Sequence, residues 1–576
     1  MRHIVDPRQK VLFDPLTAWL REGRKLKRIQ RGWQGVFRWT ILEMMPADIL
    51  GGEFDPSLGR PTMELYSMCG LILIMEFMGW SQEEAADRYS CDMSIHYALN
   101  LGVACKPMSV RTIQRYKKYF VENELAAKVM HDVTTKLLKI TGIKIDEQRL
   151  DSTHVFSNMA QFGRTRLMGI TVKRFLTQVK QHNREAYDAL PEELRERFAP
   201  SRGRMFGDVA KDPDARRLLR GDVARDMLWL IEHFASDASM TGRSTYKNLQ
   251  TVFEQQCEVV GEKVRVRDRV GNNVIQNPSD PDATREGPKG PGHKAQLAET
   301  SNKDNEIQLI TAVIPQTGAD DDRKAMPVVL AEFEDQGLMP EVLLADTHYG
   351  SDADQQRCAE KDVRLVAPAP TPPNTRDIHA TNMADFEVDE QTHTVARCPE
   401  GHAPDSSEHN AKTGKTRTVM PADACDNCSR RGDCLVKRTK KATYHLDHTP
   451  AERRLQIRRR EQETDEFRHE YARRAGIEST NSGLKRRTGF GRLRVRGSPA
   501  VAHSTRMKAC GWNILRAAAT ETVRQLVAEI AAQSVMEHVF GPIQRLMRPI
   551  WLVLVAHERL RRTLTYITAR SPVRAA

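Results

Sequence analysis

The stretch Tyr471-Ala472-Arg473-Arg474-Ala475-Gly476-Ile477-Glu478-Ser479-Thr480-Asn481-Ser482-Gly483-Leu484-Lys485 decides how this chain is read. Tyr471, Arg474, Glu478 and Lys485 follow one another at offsets of 3, 4 and 7 residues. At about 100° per residue, a helix carries all four within a wedge of roughly 60°. One face then presents a phenol, a guanidinium, a carboxylate and an ammonium together. Gly476 and Gly483 fall inside this helix, and each costs about 1 kcal/mol relative to Ala.

Working outward, no Asp or Glu occurs from Ser479 to Thr520, while that interval holds Lys485, Arg486, Arg487, Arg492, Arg494, Arg496, Arg506, Lys508 and Arg516. A strip of one sign suits neutralisation of phosphates, where each contact releases condensed counterions. A carboxylate at its edge points to chemistry on a phosphodiester rather than storage of it. Two further acids close strand-like runs upstream: Asp151 in Leu150-Asp151-Ser152-Thr153-His154-Val155, and Asp346 after Val342-Leu343-Leu344-Ala345. Strand ends in an α/β sheet are where reactive groups gather, on rigid backbone facing a crevice.

Composition sets the outer bounds. The 576 residues allow two to four domains at roughly 150 residues each. Hydrophobic residues make up 40% and charged residues 28%, an ordinary globular mix, with a net charge of +12 that favours a polyanionic partner. No apolar leader follows Met1, and the apolar run from Leu65 to Met75 is cut by Glu76, short of the ~18–20 residues that span a bilayer. Ten cysteines without a leader indicate reduced thiols or metal ligands. A cytoplasmic, nucleoid-associated protein without membrane contact is expected.

Residues 1–140 read as helical. Ser81-x-x-Glu84 is a capping-box pattern, and Ser109 opens a helix with Val110, Ile113, Tyr116 and Phe120 on one face and Arg111, Arg115, Lys117 and Lys118 mostly on the other. Such an arrangement suits a DNA-binding helical module. Strand patterns at 148–155, 294–299, 307–314, 342–345 and 363–367, with a helix at 323–337, predict an α/β core. A mostly helical insertion occupies 158–290, a small cysteine-containing unit 375–447, and C-terminal helices 521–576.

Taken in order, the Leu-Asp151-Ser-Thr-His motif, the Ala-Asp346-Thr-His-Tyr-Gly motif and the Tyr471, Arg474, Glu478, Lys485 spacing resemble the bacterial insertion-sequence DDE transposases. The likeness runs from about residue 60 to 520. It implies a ribonuclease H-like catalytic domain over 141–520, preceded by the helical DNA-binding domain. It also implies that Asp151, Asp346 and Glu478 converge as catalytic residues. Carboxylates so crowded require a cation, and hard oxygens favour Mg²⁺ or Mn²⁺. Paired ions of this kind serve in-line displacement at phosphorus. Tyr471, Arg474 and Lys485 carry over as contacts to the DNA backbone, with Arg486, Arg487, Arg492, Arg494 and Arg496 extending the surface. The partners implied are double-stranded DNA, both element ends and target, and a second copy of the chain, because two ends must be held together.

Cys425-x2-Cys428-x5-Cys434 follows Cys398 and His402. Four cysteines and one nearby histidine offer a tetrahedral zinc set, with the choice between Cys398 and His402 open. A unit this small lacks a core of its own, which favours a structural metal. His154 and His348 read as locally satisfied, and Trp33, Phe37 and Trp39 as packing residues. The rival reading is a non-catalytic, domesticated, zinc-containing DNA-binding regulator.

Overall fold

The computed structural model describes residues 1–7, 24–102, 105–201, 205–207, 212–371 and 381–531. The chain divides into two compact units, one of residues 1–143 with 507 onward, the other of residues 144–506. The expected C-terminal helices are described only as far as 531, so most of 521–576 lies outside the described residues.

In the first unit, the helix Leu65–Met78 is buried almost throughout, which is why its sequence is apolar on every side. Glu64 caps it by accepting from the amides of Tyr66 and Ser67, and Gly79 at φ +70° ends it. Ser81 caps Gln82–Cys91 and Ser109 caps Val110–Glu122, whose buried face is Ile113, Tyr116 and Phe120. One element of the expected basic face is corrected. Lys117 is largely buried and pairs with Glu76 of the apolar helix. A charge inside the core needs such a partner, since an unpaired one is expensive. Lys508 is also buried, donating to the Glu76 carbonyl at 2.6 Å, so it leaves the basic strip for the core of this unit.

The second unit is mixed α/β. Its first eight strands in chain order are β1 (Glu147–Val155), the hairpin β2 (Cys257–Val260) and β3 (Lys263–Val266), β4 (Thr284–Glu286), β5 (Gly290–Thr300), β6 (Ile310–Thr317), β7 (Val342–Leu344) and β8 (Arg364–Val366). All but β2 and β3 form one sheet. The strand β5 pairs antiparallel with both β6 and β1, whereas β1–β7 and β7–β8 pair in parallel. The expected hairpin is thus β5–β6, and β1 sits where antiparallel pairing gives way to parallel. The helix Met326–Gln336 covers one face, burying Met326, Val329, Leu330 and Phe333 with Leu150, Ala298, Ile314 and Leu343.

Between β1 and β4 the chain builds the helices Arg164–His182, Pro213–His233 and Ser244–Gln256 around a separate core that includes Phe175, Met227 and Leu249. After β8, residues 406–448 form a four-stranded antiparallel sheet over a small core of Met383, Phe386, Met420, Tyr444 and Leu446. No helix among the described residues is long and apolar enough to cross a membrane.

Candidate active site

Strand register brings the two aspartates level. Arg149 of β1 lies opposite Leu344 of β7 in the parallel pair, so two residues further on Asp151 comes alongside Asp346. Asp346 follows the end of β7 and caps the turn Thr347–Tyr349, its Oδ1 accepting from the His348 amide at 2.8 Å. Asp151 differs from the expectation of a strand end, because β1 continues to Val155. That continuation is held by β5, in register through His154 opposite Lys294 and Val155 opposite His293.

The stretch Tyr471–Lys485 is not one uninterrupted α-helix. A helix Asp465–Ala472 passes through a 3-10 turn at Arg473–Ala475 into the helix Gly476–Thr488. The cause lies in β1. Arg149 Nη1 donates to the carbonyl of Arg473 at 3.0 Å, an oxygen that also accepts the Gly476 amide in the 3-10 turn. A Cβ on Gly476 would fall 1.9 Å from Arg149 Nη1, so only glycine admits the guanidinium. Arg149 is itself fixed by Glu299 of β5, with Nε and Nη2 at 2.8 and 2.6 Å from Oε2. Thr480 Oγ1 donates to the other oxygen of Glu299 at 2.6 Å. These contacts set the rotation of the helix over the sheet.

In that setting the guanidinium of Arg474 is the meeting point of the acids. Its Nη2 lies 3.0 Å from Asp151 Oδ1 and 3.9 Å from Asp346 Oδ2, and its Nη1 lies 3.3 Å from Glu478 Oε1. Asn481 Nδ2 donates to Asp151 Oδ2 at 3.0 Å. Burial raises the Asp151 carboxyl above its ordinary value; Arg474 opposes this and Asp346 adds to it. Burial would lower Arg474, but Asp151, Tyr471, Asp346 and Glu478 together hold it above its usual value. Burial, followed by the fields of the three acids, also raises the Tyr471 phenol against the pull of Arg474. The Tyr471 ring stacks on Phe467 at 5.7 Å. Glu478 is 67% exposed and His348, beside Asp346, is 62% exposed, so the crevice opens to solvent on that side. Arg474, read from sequence as a DNA contact, is here engaged by carboxylates.

Lys485 is half-buried, its ammonium pushed down first by burial and then by Lys289. Beyond Gly489 the chain runs extended beside the end of β1: the Phe156 amide donates to Gly491 and the Leu493 amide to Phe156. Leu493 turns inward while Arg492, Arg494 and Arg496 alternate outward, and Arg486 and Arg487 are also exposed. Arg496 bonds to the Asn158 carbonyl. Among the described residues, Arg486, Arg487, Arg492 and Arg494 have no acidic partner.

His154 is buried and bonded to Glu286 at 2.6 Å, which makes it a structural group. Arg149, Glu299, Thr480 and Asn481 were not singled out in the sequence. Arg149, two positions before Asp151 and so on the same face of the strand, is the one local signal that pointed to any of them.

In the small unit, Cys398, Cys425, Cys428 and Cys434 line a cavity of about 20 Å³ together with His402. Burial, and after it Cys434, Cys398 and Cys428, push the Cys425 thiol up to about 11. All four cysteines are free thiols. Among the described residues, no three His, Cys, Asp or Glu side chains stand at metal-holding separation, here or around Arg474.

No curated protein and no solved structure matches the chain. Residues 397–518, which include Tyr471, Arg474, Glu478 and Lys485 but neither aspartate, match the family model of a transposase DDE domain, and this supports a DDE transposase.

Proposed function

We propose that the chain cuts DNA at the ends of an insertion sequence and joins those ends to target DNA, with Asp151, Asp346 and Glu478 as the catalytic acids. The observation that carries this reading is the approach of all three carboxylates, from β1, the turn after β7 and the helix Gly476–Thr488, to one guanidinium. The sheet supports a ribonuclease H-like core, since three antiparallel strands continue into two parallel ones on the far side of β1.

Asp151, Asp346 and Glu478 would hold Mg²⁺ or Mn²⁺. Their oxygens are hard donors, and three carboxylates approaching one guanidinium bring more negative charge than that guanidinium offsets. Such an ion supplies Lewis-acid charge at a phosphodiester. The chain's own groups do the rest. Lys485 and the outward arginines bind the backbone of double-stranded DNA, Tyr471 walls the crevice, and Arg474 provides a planar fork for a phosphate once the acids no longer need it. The helical N-terminal unit is assigned to recognition of the element ends, and a homodimer to holding two of them. For the cysteine unit, Cys398, Cys425, Cys428 and Cys434 are the zinc ligands proposed, with His402 as the alternative to Cys398; a cavity of about one ion's size lined by four thiols supports this.

Asp346→Asn tests the assignment, since Asn keeps the cap on Thr347–Tyr349 while removing the charge. DNA binding should survive and Mg²⁺-dependent cleavage disappear. Cleavage at the wild-type rate would overturn the site.

A further inference from the structure

Among its donors, Asp151 receives Arg474 on Oδ1 and Asn481 on Oδ2, both at 3.0 Å. An ionised carboxylate only accepts, so the amide nitrogen of Asn481, not its oxygen, must face Asp151. Asn481 is 9% exposed and its Oδ1 is buried without a hydrogen-bond partner. Among the described residues, its side chain makes this one bond. The buried amide spends its one bond on Asp151 and leaves its other polar atom unsatisfied, a costly arrangement for packing alone. One position earlier, Thr480 is tied to Glu299, and one turn earlier Gly476 rests on Arg149. The helix therefore has no freedom to rotate, and the Asn481 amide is delivered to Asp151 in a fixed orientation.

We infer that Asn481 is a positioning residue for Asp151. Its N–H holds Oδ2 and turns Oδ1 toward the positive charge of the crevice. Asn481 thereby does for a carboxylate ligand what outer groups commonly do around metals, where loss of such a group costs about 10- to 100-fold in metal affinity. This rests on the proposed role of Asp151.

The test is Mn²⁺ titration of the full chain without DNA, read by electron paramagnetic resonance, on wild type, Asn481→Leu, Asn481→Ala and Asp151→Ala. DNA affinity and urea unfolding are measured alongside. Asn481→Leu should raise the Mn²⁺ dissociation constant of the folded chain about tenfold or more, a change that a packing role, which would lower urea stability alone, would not produce. Asn481→Ala carries the same expectation should leucine not fit. Unchanged Mn²⁺ affinity in the Asn481 variants, with binding lost in Asp151→Ala, overturns the role of Asn481 and leaves the site standing. Wild-type affinity in Asp151→Ala overturns both.

Discussion

Replacing Arg149 with Met should loosen the helix that carries Glu478 without touching any proposed catalytic group. Arg149 is 11% exposed on its side chain and Glu299 is 0% exposed, so removal of the guanidinium leaves a carboxylate stranded in the sheet. Breaking a buried pair from one side costs about 3–5 kcal/mol. Glu299 keeps the Thr480 hydroxyl, and the Arg473 carbonyl loses the guanidinium but keeps the Gly476 amide. The double variant Arg149→Met, Glu299→Leu removes the stranded charge, leaving the loss of the Thr480 bond at about 1–3 kcal/mol at most. Amide hydrogen exchange over residues 476–488 reads the effect locally. Protection should fall by about 10²–10⁴-fold in the single variant and by visibly less in the double. Equal losses in the two, or a single-variant effect below about 1 kcal/mol, would refute the idea that the charge pair fastens this helix.

Other expectations follow from the same geometry. Gly476→Ala should destabilise the second unit in urea unfolding, although helix propensity alone would favour Ala by about 1 kcal/mol, because the new Cβ meets Arg149 at 1.9 Å. Glu286 has its carboxyl brought down from 4.5 to about 2: burial opposes this, but the hydrogen bonds from His154 and Lys289 prevail. A lowered acid stabilises the fold above its unfolded value and loses that contribution as pH falls. The stability gap between wild type and Glu286→Gln should therefore be full above about 4.5 and close toward about 2. Arg492→Ala should weaken binding to all DNA sequences alike and reduce the slope of log affinity against log salt by about 1. Cys428→Ser should lower the zinc content of purified protein and unfold residues 381–448 locally, as proteolysis would report; full zinc content would count against the ligand set.

Local patterns gave most strands of the main sheet, because apolar runs such as Val342–Leu344 and Ile310–Ile314 are signals carried within a few residues, but not β2, β3 and β4, which fall in the expected helical insertion. The meeting of the acids came only from the family resemblance, since Asp151 lies inside β1 rather than after it and no local pattern carries the pairing of β1 with β7. The break in the Tyr471–Lys485 stretch was hidden for the same reason. It depends on Arg149, 324 residues away from Arg473, and no window over the helix contains it. Charge sign likewise told where basic residues cluster but not whom they face. Lys117 and Lys508 turned out to serve Glu76, and Arg474 the acids, whereas Arg486, Arg487, Arg492 and Arg494 remain outward. Asn481 carried no sequence signal, because one amide on a polar helix is unremarkable until its neighbour is known.

Arg149 and Asp151 alternate onto the same side of β1, so a single edge of backbone dictates both where the helix docks and where the acid points. Sliding that strand by one residue would turn both side chains over into the layer beneath Met326–Gln336, severing anchor and chemistry in one step. Evolutionary drift at this strand is thus constrained in phase as well as in composition: insertions here should be far less tolerated than in the long helical excursion that follows.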